Sequence, residues 1–261
     1  MQYRNAMKQR YINEVKLGLE LTRNLTPEIL TEADLEHLPE PVQRYIRYSG
    51  AVGKPKVHNF KVGFIGKIRK DEQSPWMPFQ VEQHSFINES IRLFWMDAIM
   101  MHLPVKGFHC FKKGNAFMDI RLFWLFRVQY MDGKEMGISE TVTFFNDMCV
   151  MAPATLIDHR IKYIETDENR VLAEFTDHGI TISAWLHFGE NGELTNFISD
   201  DRYAFKGKNR MEQFRWQTPL RNYQEINGRM ISKEADLIYE YPEGDFCYGK
   251  FEMTQLQYNL K

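Results

Sequence analysis

The chain has 261 residues, of which 43% are hydrophobic and 14% aromatic, and its 33 basic and 35 acidic residues nearly balance. This length allows one large domain with a substantial core, or two small domains. The near-neutral charge lacks the basic excess of a nucleic-acid-binding protein, and the one short basic cluster, residues 206–210, is predicted to be a solvated loop. No apolar run approaches the roughly 20 residues that span a bilayer. We therefore expect a soluble protein without a signal peptide, either cytoplasmic or membrane-associated.

The first predicted element is an amphipathic helix over residues 1–24, because apolar residues recur there at three- and four-residue spacing. These apolar residues are Met7, Tyr11, Ile12, Val15 and Leu19. We expect the helix to pack on the body of the protein or on a partner, with the membrane surface as an alternative. Residues 1–30 are interpreted as this helix and its connector, and residues 31–261 as a single domain.

The next predicted elements are two short helices and then a long series of strands. Thr31 can cap a first short helix that Pro39 ends, and Pro41 suits the first turn of a second one. The second helix is expected to end near Gly50, since glycine readily takes the left-handed conformation. From Val57 onward the apolar pattern changes from helical to alternating, which predicts β-structure.

The β-region is predicted to form about ten antiparallel strands joined by tight turns, with one helix in the middle. Residues 180–188 alternate between apolar and polar side chains, which is typical of a strand with one buried face. Asn227-Gly228 between two alternating runs is a strong hairpin signal. Residues 138–149 fit one face of a helix, whereas residues 103–107 are predicted as a turn and residues 214–226 as one strand.

The sequence contains no recognisable catalytic or metal-binding motif. Its eight histidines include no pair at the spacing that a zinc site needs, and His109 and Cys110, adjacent on a strand, point to opposite faces. A nucleophile elbow and a glycine-rich phosphate loop are both missing, and Gly63 and Gly66 are interpreted as marks of a bulge or of close packing. The three widely spaced cysteines suit a reducing compartment. We expect neither a metal nor a cofactor.

Several short motifs resemble those of a known family. The most specific is Leu-Pro-Glu-Pro-Val-Gln-Arg-Tyr-Ile-Arg-Tyr-Ser-Gly at residues 38–50, which precedes Val-Gly-Lys-Pro at residues 52–55. Further matches are Trp76-Met77-Pro78-Phe79, Glu82-Gln83 and Arg202-Tyr203. Together they resemble an uncharacterised bacterial domain family without an established activity. The resemblance implies a fold similar to the outer-membrane (Lol-type) lipoprotein carriers, in which a curved antiparallel sheet is open on one side and helices cover its concave face.

We therefore expect an α+β, mainly β fold: a lipoprotein-carrier-like half-barrel with an N-terminal amphipathic helix. Aromatic and methionine side chains on alternating strands favour a non-enzymatic binding domain for a lipid or another amphiphile. The side chains predicted to line its site are Trp76, Phe79, Gln83, Trp95, Arg202, Tyr203, Trp216 and Glu234. Two alternatives stay open. One is a hydrolase or isomerase that uses an Asp or Glu at the cavity mouth, and the other is an interaction module that docks a partner or a second copy through the N-terminal helix.

Overall fold

The computed structural model describes residues 6–207 and 210–261. The first five residues of the predicted N-terminal helix and part of the predicted basic loop lie outside these ranges. The described helices are α1 (Ala6–Thr22), α2 (Glu40–Tyr48) and α3 (Lys134–Met151), with two 3-10 helices at Ala33–Leu35 and Pro153–Ile157. Helix α2 ends as predicted just before Gly50, whose φ is +64°. Of the helices described, none has the length and apolar character needed to cross a membrane.

The described residues form sixteen strands, so the prediction of about ten is too low. The strands are β1 (Asn59–Ile68), β2 (Met77–Phe86), β3 (Ile91–Met100), β4 (Leu103–Lys112), β5 (Asn115–Leu122), β6 (Phe126–Asp132), β7 (Ile161–Thr166), β8 (Arg170–Asp177), β9 (Ile180–Phe188), β10 (Leu194–Ser199), β11 (Tyr203–Phe205), β12 (Met211–Gln213), β13 (Arg215–Gln217), β14 (Leu220–Ile226), β15 (Arg229–Tyr241) and β16 (Gly244–Tyr258). Three strands have only three residues, too few to show an alternating pattern. The single strand predicted over residues 214–226 is divided at Pro219, because proline has no N–H to donate to a strand ladder.

Fourteen of these strands form one antiparallel sheet. Its order is β6-β5-β4-β3-β2-β1-β16-β15-β13-β10-β9-β8-β7, with β14 also paired to β15, while β11 and β12 form a separate small sheet. The pairing of β1 with β16 joins the N-terminal and C-terminal parts of the sheet. The sheet is curved, and its edges β6 and β7 do not pair, which leaves a half-barrel. The predicted fold class is therefore confirmed.

Helix α3 covers part of the concave side of the sheet, which we call the inner face. Phe144, Phe145 and Met148 are fully buried there, and the ring of Phe145 stacks on that of Phe175 with their centroids 5.1 Å apart. Fifteen of the 18 residues of α3 are buried, so the helix is enclosed on nearly every side. The predicted central helix is confirmed, with boundaries a few residues wider than its apolar pattern indicated.

Helix α1 packs on the opposite side of the sheet, which we call the outer face, across β2, β3 and β4. The ring of Tyr11 lies 5.7 Å from that of Trp95 and 5.6 Å from that of Phe108. Gly18 faces the ring of Phe86 so closely that any larger side chain would collide with it. The apolar stripe of this amphipathic helix is thus in contact with the protein's own sheet.

The hairpin turns of the sheet lie at two ends, which we call upper and lower. The upper end carries the turns at residues 113–114 and 227–228, and the lower end carries those at residues 101–102 and 123–125. The predicted turn at residues 103–107 is wrong. The chain reverses at Met101 and His102, and residues 103–107 belong to β4. Pro104 is tolerated since it lies near the start of that strand.

Candidate functional site

The lower half of the inner face carries an apolar cluster whose members all come from strands. Its buried members are Phe79, Val81, Phe94, Met96, Ala98 and Val105, and its partly buried members are Phe64, Ile68, Met77, Ile120, Leu122 and Phe251. Strand register places all of them on the same face of β1–β5 and β16. The rings of Phe79 and Phe251 have centroids 4.7 Å apart. We call this group the inner apolar cluster.

Two glycines on β1 shape the sheet beside this cluster. A Cβ atom at Gly66 would collide with the carbonyl oxygen of Lys250 and lie 2.7 Å from the ring of Phe79, so only glycine fits between them. The register with β16 shifts between Gly63 and Phe64, which marks a β-bulge. Both roles predicted for these glycines, a bulge and close packing, are therefore confirmed.

A buried group of ionised and polar side chains lies next to the inner apolar cluster, under α3. Arg92 donates from Nε to Oδ2 of Asp147 at 2.6 Å and from Nη1 to Oε2 of Glu140 at 3.0 Å. Gln83 donates to the same Asp147 oxygen at 2.7 Å and to Oγ of Ser85 at 3.0 Å. All five side chains are buried. We call this group the inner polar cluster.

The carboxylates of the inner polar cluster keep Arg92 charged. Burial alone would lower the pKa of the Arg92 guanidinium, but the nearby charges of Asp147 and Glu140 raise it instead. Breaking such a buried pair is costly, since the remaining charge would stay in a medium of low dielectric constant. The cluster therefore fixes α3 to β3 at one orientation.

Arg202 is a second guanidinium on the inner face, and it is held by aromatic rings. Its Cζ lies 4.4 Å from the ring centroid of Trp216 and 5.9 Å from that of Tyr239. Trp216 is itself positioned by a hydrogen bond from its Nε1 to the hydroxyl of Tyr248 at 3.1 Å. Burial would lower the pKa of Arg202, but Tyr239, Tyr248 and the nearby carboxylates raise it, so the group stays charged.

Two nitrogens of Arg202, Nε and Nη1, are buried and have no hydrogen-bond partner among the described residues. A buried donor without a partner is uncommon in a folded protein and costs about 1–3 kcal/mol. Because Arg92 already pairs with both carboxylates of the inner polar cluster, the unpartnered N–H groups of Arg202 are available to another acceptor. Arg202 therefore carries two hydrogen-bond donors that no acceptor in the described part of the chain satisfies.

His109 connects the polar and apolar parts of the inner face. Its ring lies 5.2 Å from that of Phe94, a member of the inner apolar cluster, and Phe94 is also 4.9 Å from Cζ of Arg92. Burial lowers the pKa of His109 to about 4, so the ring is neutral near pH 7. The inner face thus passes directly from a charged region to an apolar one.

The structure brings five of the eight predicted site residues to the inner face. Gln83 belongs to the inner polar cluster and Phe79, on the same face of β2, to the inner apolar cluster. Arg202 stacks on Trp216, and the carbonyl oxygen of Tyr203 accepts a hydrogen bond from Tyr239 at 2.9 Å. Their contact with a ligand stays a prediction.

The other three predicted site residues lie elsewhere. Trp95 faces outward and is buried under α1, because it alternates with its neighbour Phe94 on β3. Trp76 lies at the lower end, where its ring contacts the guanidinium of Arg69 at 4.7 Å. Glu234 lies on the outer face, where it accepts a hydrogen bond from Arg221 at 3.0 Å and lines an open groove of about 930 Å³. The eight residues therefore do not form one site.

Sequence reasoning missed several residues that shape the inner face. Glu140 and Asp147 are seven residues apart, which places them on one face of α3, and Arg92 interrupts an otherwise apolar strand. Charged residues inside apolar segments were the available signal. Among the residues described, no group of three His, Cys, Asp or Glu side chains is arranged to hold a metal ion, and Cys110, Cys149 and Cys247 are free thiols.

Several solved structures are similar to this chain at low sequence identity, whereas no curated protein matches it. A LolA superfamily protein from Nitrosomonas europaea is 10% identical, with 88% of this chain and 94% of that chain covered and a TM-score of 0.42. A putative outer membrane lipoprotein-sorting protein domain from Vibrio parahaemolyticus is 8% identical, with 77% and 85% covered and a TM-score of 0.44. A DUF1329 family protein from Desulfovibrio piger is 11% identical, with 89% and 95% covered and a TM-score of 0.44.

The model of one protein family matches residues 28–251, which is most of the chain. The match includes the segment at residues 38–50 that resembled an uncharacterised bacterial family. The chain therefore belongs to DUF6544, a family of unknown function.

Proposed function

We propose that the protein is a non-enzymatic binding protein for a lipid or another amphiphile, which it holds on the inner face of the half-barrel. The observation that carries this proposal is the pair of unpartnered, buried N–H groups of Arg202 on the same face as the inner apolar cluster. An amphiphile has the same division into a polar head and an apolar tail. Because binding sites combine apolar walls with a few polar groups, this face has the composition of one.

The inner apolar cluster would hold the tail. Its members cover the lower half of the inner face. Those at the margin of the cluster, such as Phe64, Ile120 and Phe251, are partly exposed. Met77 and Met96 belong to the cluster, and Met118 pairs with His109 on the adjoining strand. Methionine side chains are flexible and adapt to the shape of a ligand. Burial of tail surface among them would contribute roughly 25 cal/mol per Å².

Arg202 would hold the head group. A carboxylate or phosphate oxygen presents the acceptors that its Nε and Nη1 lack within the described protein. The rings of Trp216 and Tyr239 keep the guanidinium in place before the ligand arrives. This preorganisation lowers the entropy cost of binding.

The two alternative functions have less support from the geometry. The inward-facing carboxylates of Asp147 and Glu140 are both bound by Arg92, whereas Glu234 and Asp236 are bound by Arg221 on the outer face. The apolar stripe of α1, which would dock a partner, is packed on β2, β3 and β4.

The test is the binding of a fluorescent fatty acid by delipidated protein, beside a fluorescent alcohol of the same chain length. We expect Arg202→Met to weaken fatty-acid binding roughly 10- to 100-fold, the value of a hydrogen bond to a charged group. Binding of the alcohol should change much less, and Arg202→Lys should restore part of the affinity for the acid. Arg215→Met is the matched control, because Arg215 is exposed and paired with Asp200.

Two outcomes would contradict the proposal. One is that the delipidated protein takes up neither probe. The other is that Arg202→Met and Arg215→Met bind the fatty acid equally well, with thermal unfolding showing that both variants are folded.

A further inference from the structure

The exposed apolar side chains of this protein are concentrated at the lower end of the sheet. Met101 and Phe126 are 78% and 65% exposed, and neighbouring residues are also well exposed: Ile99, Met100, Leu103, Phe123, Leu125, Val128 and Tyr130. They belong to two hairpins, β3–β4 and β5–β6. The hairpins adjoin, because β4 pairs with β5 and Phe123 donates a backbone hydrogen bond to Pro104 at 3.0 Å. We call residues 99–103 and 122–128 the apolar tips.

The backbone of both apolar tips is unusual for the residues it carries. Met101 and His102 have φ values of +48° and +67°, and Phe123 and Trp124 have values of +51° and +63°. Glycine or asparagine normally occupies such positions, since a larger side chain is strained there. Met101 and His102 are exposed, whereas Phe123 is 37% exposed and Trp124 is half-buried. Bulky residues that stay wholly or partly exposed in a strained turn indicate a role outside the fold.

The base of the second tip carries a surplus of positive charge. Arg121 and Arg127 both bind the single buried carboxylate of Asp119, at 2.8 and 3.1 Å. One guanidinium charge is therefore uncompensated there, and the Arg127 side chain is half exposed. Lys106 is the direct cross-strand neighbour of Arg121. Its Nζ lies 5.1 Å from the ring centroid of Trp124 and 2.6 Å from Oδ1 of Asp97.

We propose that the apolar tips insert into the interfacial region of an anionic lipid bilayer. Met, Phe and Leu side chains are exposed at the tips, with half-buried Trp124 and then Arg and Lys behind them. This matches the order of acyl chains and phosphates met on entering a membrane. The surplus arginine charge complements anionic head groups.

This inference does not depend on the proposed amphiphile site, and one set of variants separates the two. The experiment mixes the full chain with vesicles of phosphatidylcholine containing about a third phosphatidylglycerol, and with vesicles of phosphatidylcholine alone. Flotation through a density gradient then measures the bound fraction. The tip variant carries Met101→Ser, Phe123→Ser and Trp124→Ser together. Ile164→Ser is the control, because Ile164 is a similarly exposed apolar residue on β7.

We expect wild-type protein and Ile164→Ser to float with the anionic vesicles, and the tip variant to lose at least tenfold in bound fraction. Arg127→Gln should weaken binding to anionic vesicles, and added salt should do the same. The tip variant should still take up the fluorescent fatty acid, whereas Arg202→Met should still float. The inference is overturned if wild-type protein does not float, if the folded tip variant floats as well as wild type, or if neutral vesicles bind as strongly as anionic ones.

Discussion

Two hairpin turns at the upper end of the sheet and two at the lower end share one backbone geometry but are built from opposite kinds of residue. At the upper end Lys113-Gly114 and Asn227-Gly228 take two consecutive positive φ values, and His178-Gly179, which packs against Gly114, does the same. Each of these turns uses glycine at the second position, where φ is between 72° and 80°. At the lower end, Met101-His102 and Phe123-Trp124 adopt similar angles without a glycine. The fold does not require bulky residues for this geometry, so their presence needs another explanation.

The inner face also differs between the upper and lower ends. Toward the upper end, α3 closes the face, and the Arg92 ion pairs fix it in place. Toward the lower end, the inner apolar cluster is formed by strands alone. A protein whose local choices all favoured stability would have glycine turns at both ends. We infer that the upper part of the molecule provides the stable framework and the lower part the contacts with other molecules.

The largest expected effect concerns the framework. Replacing Arg92 by Leu should lower the free energy of unfolding by about 3–5 kcal/mol, because Asp147 and Glu140 would remain buried without their partner. Met96→Leu in the inner apolar cluster nearly conserves volume and should cost less than about 1.5 kcal/mol. Urea unfolding of the two variants measures both values. If both variants lost the same free energy of unfolding, the upper half of the inner face would not be the more important half for stability.

The next effect is the pH dependence of stability. Burial lowers the pKa of His84, under α1, and of His109, beside Phe94, to about 4. In the unfolded chain the pKa of each is about 6.5, so below that pH the unfolded state binds more protons than the folded state. The contribution of these two histidines to the free energy of unfolding is therefore fully present above pH 6.5, and it falls as the pH drops toward 4.

When the pH falls from 7 to 5.5, the free energy of unfolding should fall by about 2–3 kcal/mol because of these two histidines together. The measurement is urea unfolding at the two pH values. A double variant, His84→Gln and His109→Gln, should lose most of this difference. His102→Gln is the control, because His102 is exposed at a lower turn. A double variant with the wild-type pH profile would show that other groups cause the dependence.

The sequence predicted the local structure well where one segment carried its own signal. Alternation predicted the strand over residues 180–188, helical periodicity predicted α3, and Asn227-Gly228 predicted its hairpin. The lower turn at Met101-His102 was missed, because neither residue is typical of a turn. Pro104 and Gly107 are residue types typical of turns, so the turn was predicted a few residues too late in the chain.

The candidate site was harder to predict, because it depends on contacts between distant segments. Arg92 and Asp147 are 55 residues apart in the chain, and no local pattern indicates that they pair. Trp95 was grouped with Gln83 although α1 covers the former and α3 the latter. Alternation shows that neighbouring side chains point to opposite faces, but it does not show which helix will cover each face.

The lower turns themselves are expected to have a smaller effect on stability than Arg92 or the two histidines. Replacing Met101-His102 by Asn-Gly should raise the free energy of unfolding by about 1–2 kcal/mol, because the left-handed backbone would no longer carry larger side chains. The same should hold for Phe123-Trp124. Urea unfolding measures the increase in the free energy of unfolding. Vesicle flotation of the same variants measures the accompanying decrease in the membrane-bound fraction.

The reverse exchange at the upper end shows whether residue type or position decides the effect. Replacing Asn227-Gly228 by Phe-Trp should lower the free energy of unfolding by about 1–3 kcal/mol. It would strain the turn and remove the hydrogen bond from Asn227 to the carbonyl oxygen of Leu256 at 2.7 Å. It should add no vesicle binding, since the upper end lacks the adjoining apolar tip. If the exchanged upper turn did bind vesicles, exposed aromatic residues alone would explain membrane binding, and the pairing of the two lower hairpins would not be needed.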